Sequence, residues 1–511
     1  MKKQCLCLLL CVLLLLSSCQ APVETLPDLS ASLPEPALPY EPPLGTVDMQ
    51  YTGAWPLYYP SVDGQQLIAE TTALSLEHGA SAAIPALRAL LSSGETDRHL
   101  RLGGQSRLYL SGRYAPEIAG GVCTVQLETS ALSLTLDNLY TAGLAIAASL
   151  SGLDGIRYIN LLVNERAIGM DLTDNLPLGS LSSRTDVDLP TLLKQLETKR
   201  TPLGADASQT QLTSAATLYF PLQGEGGFLP EVRNITFPGQ SVPQLAKGLI
   251  EALAEGSQYH AQAADLSSLL GFMTAAPEVS ELAGGGRLLS LYFTSDLTSR
   301  LEILGLDSAS VLGALVYTMT TFIPSLGAVR IFSGSTMITS VYGEDFGVMY
   351  FEEGMMRRRQ YAAGLRDLTT VYLVRGGFLT PVTRAVPSSS AANPALLLSL
   401  LAEGASEQEE RSGIHGIFSE PLDETDLIGI SFDDTTLVLN LSAHCGSLLT
   451  FLPPEEQQCA AYALVLTYCE ALGAKHLRFF FDSASPEDTS SGIFWGGDFM
   501  LNHALLEHSR G

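Results

Sequence analysis

An α+β fold, built from tandem copies of one ββαββαβ unit, is what the sequence predicts. Two observations point there. Alternating strand patterns and long apolar helical runs follow one another in the same order three times. The first helix of each copy ends alike, with leucines running into a glycine that can take the left-handed conformation closing a helix. The chain has 511 residues, 46% of them apolar, which is enough for several domain-sized cores.

The N-terminus comes first. Lys2 and Lys3 precede an apolar run from Leu6 to Leu16, the length of a signal-peptide core. A bilayer span takes about 20 apolar residues, so the run is too short for one. Leu16-Ser17-Ser18-Cys19 follows and resembles the bacterial lipobox. Residues 1–19 are therefore expected to be a lipoprotein signal peptide. Cys19 is the expected lipidation site, its thiol taking a diacylglyceryl group as a thioether, with palmitate among the acyl chains. That places the protein at the cell membrane, lipid-anchored, on the extracytoplasmic face. Residues 20–53 contain Pro34-Glu35-Pro36 and Pro42-Pro43 and read as an extended Pro-rich tether.

The units are expected at 54–171, 215–342 and 368–483, with linkers at 172–214 and 343–367 and a tail at 484–511. Each opens with a strand: Leu57-Tyr58-Tyr59, Thr217-Leu218-Tyr219-Phe220 and Val371-Tyr372-Leu373-Val374. A glycine turn leads to a second strand at 66–72, 229–236 and 379–386. The first helices end Ala89-Leu90-Leu91-Ser92-Ser93-Gly94, Glu251-Ala252-Leu253-Ala254-Glu255-Gly256 and Ser399-Leu400-Leu401-Ala402-Glu403-Gly404.

After a variable loop, strand pairs are expected at 122–127 with 131–136, 288–294 with 299–303, and 427–432 with 436–441. The last pair turns at Asp433-Asp434. Long apolar helices at 139–150, 308–322 and 455–472 lead to closing strands at 156–163, 329–332 and 476–481. Ala314-Leu315-Val316-Tyr317-Thr318 parallels Ala463-Leu464-Val465-Leu466-Thr467. Leu315, Val316, Leu464 and Val465 fall on the apolar stripe and should be buried. A hairpin alone is marginal. Each unit is accordingly expected as one sheet with two helices on one face.

These units resemble the GerMN domain of sporulation and spore-germination lipoproteins. The resemblance rests on the run from Val371 to Pro387, on Phe228-Leu229-Pro230-Glu231-Val232-Arg233, on the Leu-Leu-x-x-Gly helix end and on the Ala-Leu-Val-x-Thr helix. It spans 216–340 and 368–482 and is more diverged over 54–170. The family's Leu-Pro-x-Gly-Thr-like turn is replaced here by Gly284-Gly285-Gly286-Arg287-Leu288 and by Pro421-Leu422-Asp423-Glu424-Thr425. The resemblance implies a ring-building-motif-like fold, no catalysis, and a part in assembling envelope complexes during endospore formation.

Composition and motifs narrow the chemistry. A net charge of −26 excludes nucleic acid and disfavours anionic wall polymers as direct ligands. Arg357-Arg358-Arg359 is the one basic patch and reads as a solvated linker face. Cys123, Cys445, Cys459 and Cys469 lack metal-site spacing and read as buried thiols, with a Cys445 disulfide to Cys459 or Cys469 left open. His260 and His415 fall in loops, and His503 and His508 in the tail.

Gly284-Gly285-Gly286 precedes a strand and so is a turn, not a phosphate cradle. The acidic loops at 407–410 and 423–426 lack calcium-hand spacing. Arg233 and Arg384 recur on the second strand of their units and are expected to cover the strand edge or pair with an acidic neighbour rather than bind a ligand. No catalytic residue, cofactor or metal is expected.

The leading expectation is a non-catalytic, membrane-anchored interaction and assembly factor of the cell envelope, in sporulation or spore germination. Its partners would be the membrane, through the lipid, and envelope or sporulation-complex proteins near peptidoglycan. A solute-binding lipoprotein is the alternative, and a cell-wall hydrolase comes third.

Overall fold

The computed structural model of the chain describes residues 40–91, 108–170, 176–199, 210–486 and 493–506. The expected signal peptide with Cys19, tether residues 20–39, the helix end at 92–94 and His508 lie outside the described residues. All elements below belong to the unit that begins at Pro43.

Strand β1 (Gly45–Val47) pairs in parallel with residues 429–431, so the stretch expected as tether already joins the fold there. Strands β2 (Gln50–Pro60) and β3 (Leu67–Glu77) form the first hairpin, which starts earlier than the boundary expected at residue 54. Helix α1 (Ala83–Leu91) follows, then β4 (Glu117–Ala119) and β5 (Val122–Leu127). Helix α2 (Leu136–Leu150) starts at Thr135, whose side chain accepts the Asn138 N–H. Strand β6 (Tyr158–Val163) then lies parallel to β5, while β4 pairs antiparallel on its other side.

Within the expected linker at 172–214, the described residues 176–199 and 210–214 carry regular structure. They include helix α3 (Leu189–Lys199), which buries Leu189, Leu192 and Leu196. The second hairpin, β7 (Leu212–Pro221) with β8 (Phe228–Phe237), begins there. Helix α4 (Val242–Ala254) opens at a Ser241–Gln244 capping box and ends before Gly256, at φ +81°. Strands β9 (Glu278–Glu281) and β10 (Arg287–Phe293) pair antiparallel across the Gly284-Gly285-Gly286 turn. A short helix α5 (Leu297–Ile303) precedes α6 (Ser308–Phe322), and β11 (Leu326–Ser333) returns parallel to β10.

The expected linker at 343–367 is also part of the fold. Strands β12 (Ser340–Gly343) and β13 (Gly347–Tyr350) form a small hairpin, and two 3-10 turns carry the chain to Leu365. The third hairpin is β14 (Arg366–Arg375) with β15 (Phe378–Pro387). Helix α7 (Pro394–Glu403) is capped by Asn393 and ends at Gly404, φ +69°. Strands β16 (Leu427–Asp433) and β17 (Thr436–Leu441) turn at Asp433-Asp434. Helices α8 (Ala443–Thr450) and α9 (Pro454–Leu472) lead to β18 (His476–Phe481), parallel to β17. The expected tail supplies β19 (Asp498–Met500), paired with β18, and the fully buried Trp495.

The fold class is α+β, as the sequence predicts, with two corrections. The first two long hairpins form two-stranded sheets of their own, and the third adds only the two-residue strand Ile414–His415, so none joins the parallel pair; the long helices α2, α6 and α9 pack against both. In the first two segments the antiparallel partner lies upstream, at β4 and β9. Residues 129–133 form a 3-10 turn and 297–303 a helix, where strands were expected.

Helix α6 is buried on every side, which its apolar composition allows. Leu315, Val316, Leu464 and Val465 are all buried. The first two segments and the connector share one continuous core, and the third has its own, which also takes in Met49. Gly120 sits where the three segments meet. Its φ is +54°, its N–H donates to Asp367 Oδ1 at 3.0 Å, and an added Cβ would lie 2.8 Å from the Pro230 carbonyl oxygen.

Candidate functional site

A two-stranded ribbon leaves every second N–H of each strand pointing away from its partner, and each such donor needs an acceptor. The long helices supply one at the same place in each segment. Tyr58 N–H donates to Ser149 Oγ (2.8 Å), Tyr219 N–H to Thr318 Oγ1 (3.0 Å) and Tyr372 N–H to Thr467 Oγ1 (3.1 Å). Tyr219 lies opposite Pro230 and Tyr372 opposite Pro381, and proline has no N–H to offer a ladder.

The two recurring arginines stand three residues beyond those prolines. Arg233 donates to Glu231 Oε1 at 2.5 Å and to the carbonyls of Ala252 and Gly256. Arg384 grips both carboxylate oxygens of Glu409 at 2.7 Å and donates to the Gly404 carbonyl at 2.9 Å. Each thus closes the C-terminus of its unit's first helix, where free carbonyls and the helix dipole favour a cation. Burial raises the Glu231 carboxyl, but hydrogen bonds from Ser257 and Arg233 outweigh it and hold it below the usual range. The Arg384 hydrogen bonds pull Glu409 down to about 2.

Arg358 overturns the expectation of a solvated basic face, for it is 1% exposed. It pairs with Glu117 of β4 at 2.5 Å and donates to Thr321 Oγ1 (2.5 Å) and Tyr219 Oη (3.2 Å). Its guanidinium lies 3.8 Å from the Tyr317 ring centroid. The cluster joins the first segment, the second and the connector. Its ion-pair partners are 241 residues apart, so no local spacing announces it.

Other residues singled out from sequence stay apart. His260 Nε2 meets the Pro230 carbonyl oxygen at 3.1 Å. His415 lies on a two-residue strand beside Val374. His503 Nε2 contacts Glu470 Oε1 at 2.8 Å, and Glu470 also accepts from the Tyr372 hydroxyl at 2.5 Å. Cys123, Cys445, Cys459 and Cys469 are free and buried, and burial pushes the Cys469 thiol up to about 12. Of the acidic loops, residues 407–411 form a short helix, and Asp426 accepts from the Asp423 N–H and Ser442 hydroxyl. Among the described residues, no group of three His, Cys, Asp or Glu could hold a metal ion.

Among the described residues the surface includes two clefts. One, of about 380 Å³, includes Tyr158, Arg233, Glu251, Glu255 and Tyr259, but its guanidinium is already engaged as above. The other, of about 460 Å³, is lined by Glu225, Glu302, Asp307, Tyr342 and Glu344 among others. No single described helix is long and apolar enough to cross a membrane.

No family model matches the chain, and no curated protein matches it. Among solved structures it is similar to the tandem GerMN domains of the sporulation protein GerM from Bacillus subtilis. The identity is 15%, over 58% of this chain and 100% of that one, with a TM-score of 0.22.

Proposed function

We propose that this chain is a non-catalytic lipoprotein, anchored through Cys19 on the extracytoplasmic face of the membrane. It acts there as an interaction and assembly factor of the envelope, in sporulation or spore germination. We further propose that its three segments are copies of one GerMN-like ββαββαβ unit.

The observation that carries this reading is the threefold recurrence of one contact: a long-helix hydroxyl taking the N–H of the first-strand tyrosine, at Ser149, Thr318 and Thr467. It recurs within one order of elements: hairpin, helix, antiparallel pair, long helix, parallel strand. Arg233 and Arg384 close the first helices of the second and third segments. General acid–base work needs titratable groups converging on one accessible point, whereas Arg233 and Arg384 lie apart, each engaged at its own helix end, and Arg358 is buried in its pair with Glu117. Tandem binding units on a lipid tether gain effective concentration at the membrane.

Three measurements test the reading. Cys19→Ala should release the protein from the membrane fraction or leave it unprocessed. Deletion should impair assembly of an envelope or spore complex. Purified mature protein should leave peptidoglycan intact, and cleavage abolished by one Asp, Glu or His substitution would replace this reading with a hydrolase.

A further inference from the structure

The β12–β13 hairpin is a sheet of its own, its strands paired with each other. Its inner face is seated, for Val341 is buried and Met349 packs on the large core. Its outer face is bare. Tyr342 is 68% exposed, Val348 directly across from it 58%, and Tyr350 76%. Strand alternation puts all three on one side. An exposed cluster of aromatic and branched residues on a monomer is a usual mark of a binding surface.

Charge selects what covers it. Tyr342 is also a wall of the 460 Å³ cleft, whose other lining residues include Glu225, Glu302, Asp307 and Glu344 and no Lys or Arg. Glu225, Glu302 and Glu344 are exposed, and Asp307 is committed to capping α6 through the Ser310 N–H. Anionic lipid and acidic wall polymer are repelled from such a place.

We infer that the outer face of the β12–β13 hairpin and the adjoining acidic cleft dock an extended, cationic segment of a partner protein, one in which Lys or Arg alternates with apolar residues. The apolar side chains of that segment would lie on Tyr342, Val348 and Tyr350, and its cations would reach Glu302 and Glu344. The inference rests on the interaction-protein reading and names the partner's chemistry.

The test uses the full mature chain and a short synthetic peptide alternating Lys and Val, with a Glu–Val peptide beside it. Binding is read by fluorescence anisotropy and located by hydrogen exchange. The Lys–Val peptide should bind and slow exchange across residues 340–350. Y342S/Y350S and E302Q/E344Q should each weaken it at least about tenfold, with thermal melting unchanged. E403Q/E410Q, on a remote exposed surface, should leave affinity intact.

Several results would overturn the inference: no binding, equal binding of the Glu–Val peptide, or equal weakening by the remote pair, which means diffuse charge attraction. So would protection of 340–350 that grows with protein concentration alone, which means a second copy, or that appears on anionic phospholipid vesicles. Failure here leaves the Cys19 and deletion tests untouched, because neither uses this face.

Discussion

Arg358 of the connector and Glu117 of β4 meet at 2.5 Å across 241 residues of chain, the guanidinium 1% exposed and the carboxylate 23%. The asymmetry decides which partner can be lost. Glu117→Gln strands a buried cation, which costs about 3–5 kcal/mol. Arg358→Met leaves a carboxylate that water can reach, so it should cost less, despite the lost stacking on Tyr317. Urea unfolding of the two variants measures the ranking, and the reverse order would mean the cation is better solvated than its burial indicates.

The helix hydroxyls give a second prediction. Thr318→Val keeps the shape of the side chain but orphans the Tyr219 N–H, a buried donor, at about 1–3 kcal/mol. Thr318→Ser keeps the acceptor and should cost less. Thr467→Val should act alike on Tyr372. Amide exchange in peptides covering 217–220 and 371–374 should quicken in the valine variants only. Unchanged exchange would show that the strand amide finds another acceptor.

Where the chain buries apolar surface, its pattern was readable. The second strand of the third hairpin, α6 and β18 fall within a residue of their expected places because each has a strict period and a clear stop. The edge strands β4 and β9 were not readable. Residues 278–281 are exposed throughout, so Glu278, Val279, Ser280 and Glu281 give no alternation. Without that edge in the pattern, β5 and β10 read as the first strand of each pair, with the partner downstream. Arg358 escaped for another reason: Arg357-Arg358-Arg359 looks like solvated charge until the fold brings Glu117, Tyr317 and Thr321 around its middle member. The expected linkers were misread because their buried residues, such as Leu176, Leu192 and Tyr361, are scattered among polar ones.

Glu409 offers a pH test. Its carboxyl, hydrogen-bonded by Arg384, sits at about 2 in the folded chain against an ordinary value near 4.5. A depressed carboxyl contributes stability that is full above its unfolded value and lost as pH falls toward the folded one. Melting temperature should therefore drop between about pH 5 and pH 2, and Glu409→Gln should flatten part of that drop. Arg384→Ala should remove the same part and cost about 1.5–3 kcal/mol at neutral pH. If Glu409→Gln leaves the acid limb unchanged, the pair contributes nothing measurable.

His78 gives the last prediction, for the seam between the first hairpin and the third segment. Its ring stacks on Phe432 at 3.5 Å and 4°, and on Tyr51 at 4.2 Å and 24°. Its Nδ1 lies 3.0 Å from the Leu472 carbonyl oxygen, which can only accept, so Nδ1 carries the proton of the neutral ring. Burial lowers the imidazole below its ordinary value near 6.5, and the Leu472 hydrogen bond opposes it only in part. An unfolded or undocked His78 therefore takes up a proton more readily than the docked one. The seam's stability is full above about pH 6.5 and declines as pH falls through the depressed value. Hydrogen exchange across residues 45–47 and 429–432 should quicken between about pH 7.5 and pH 5.5, after correction for intrinsic rates. His78→Phe keeps a ring between Tyr51 and Phe432 and removes the titration, so its seam should hold steady over that range. An unchanged pH response in His78→Phe would move the cause to another group, and a seam that tightens on acidification would reverse the sign.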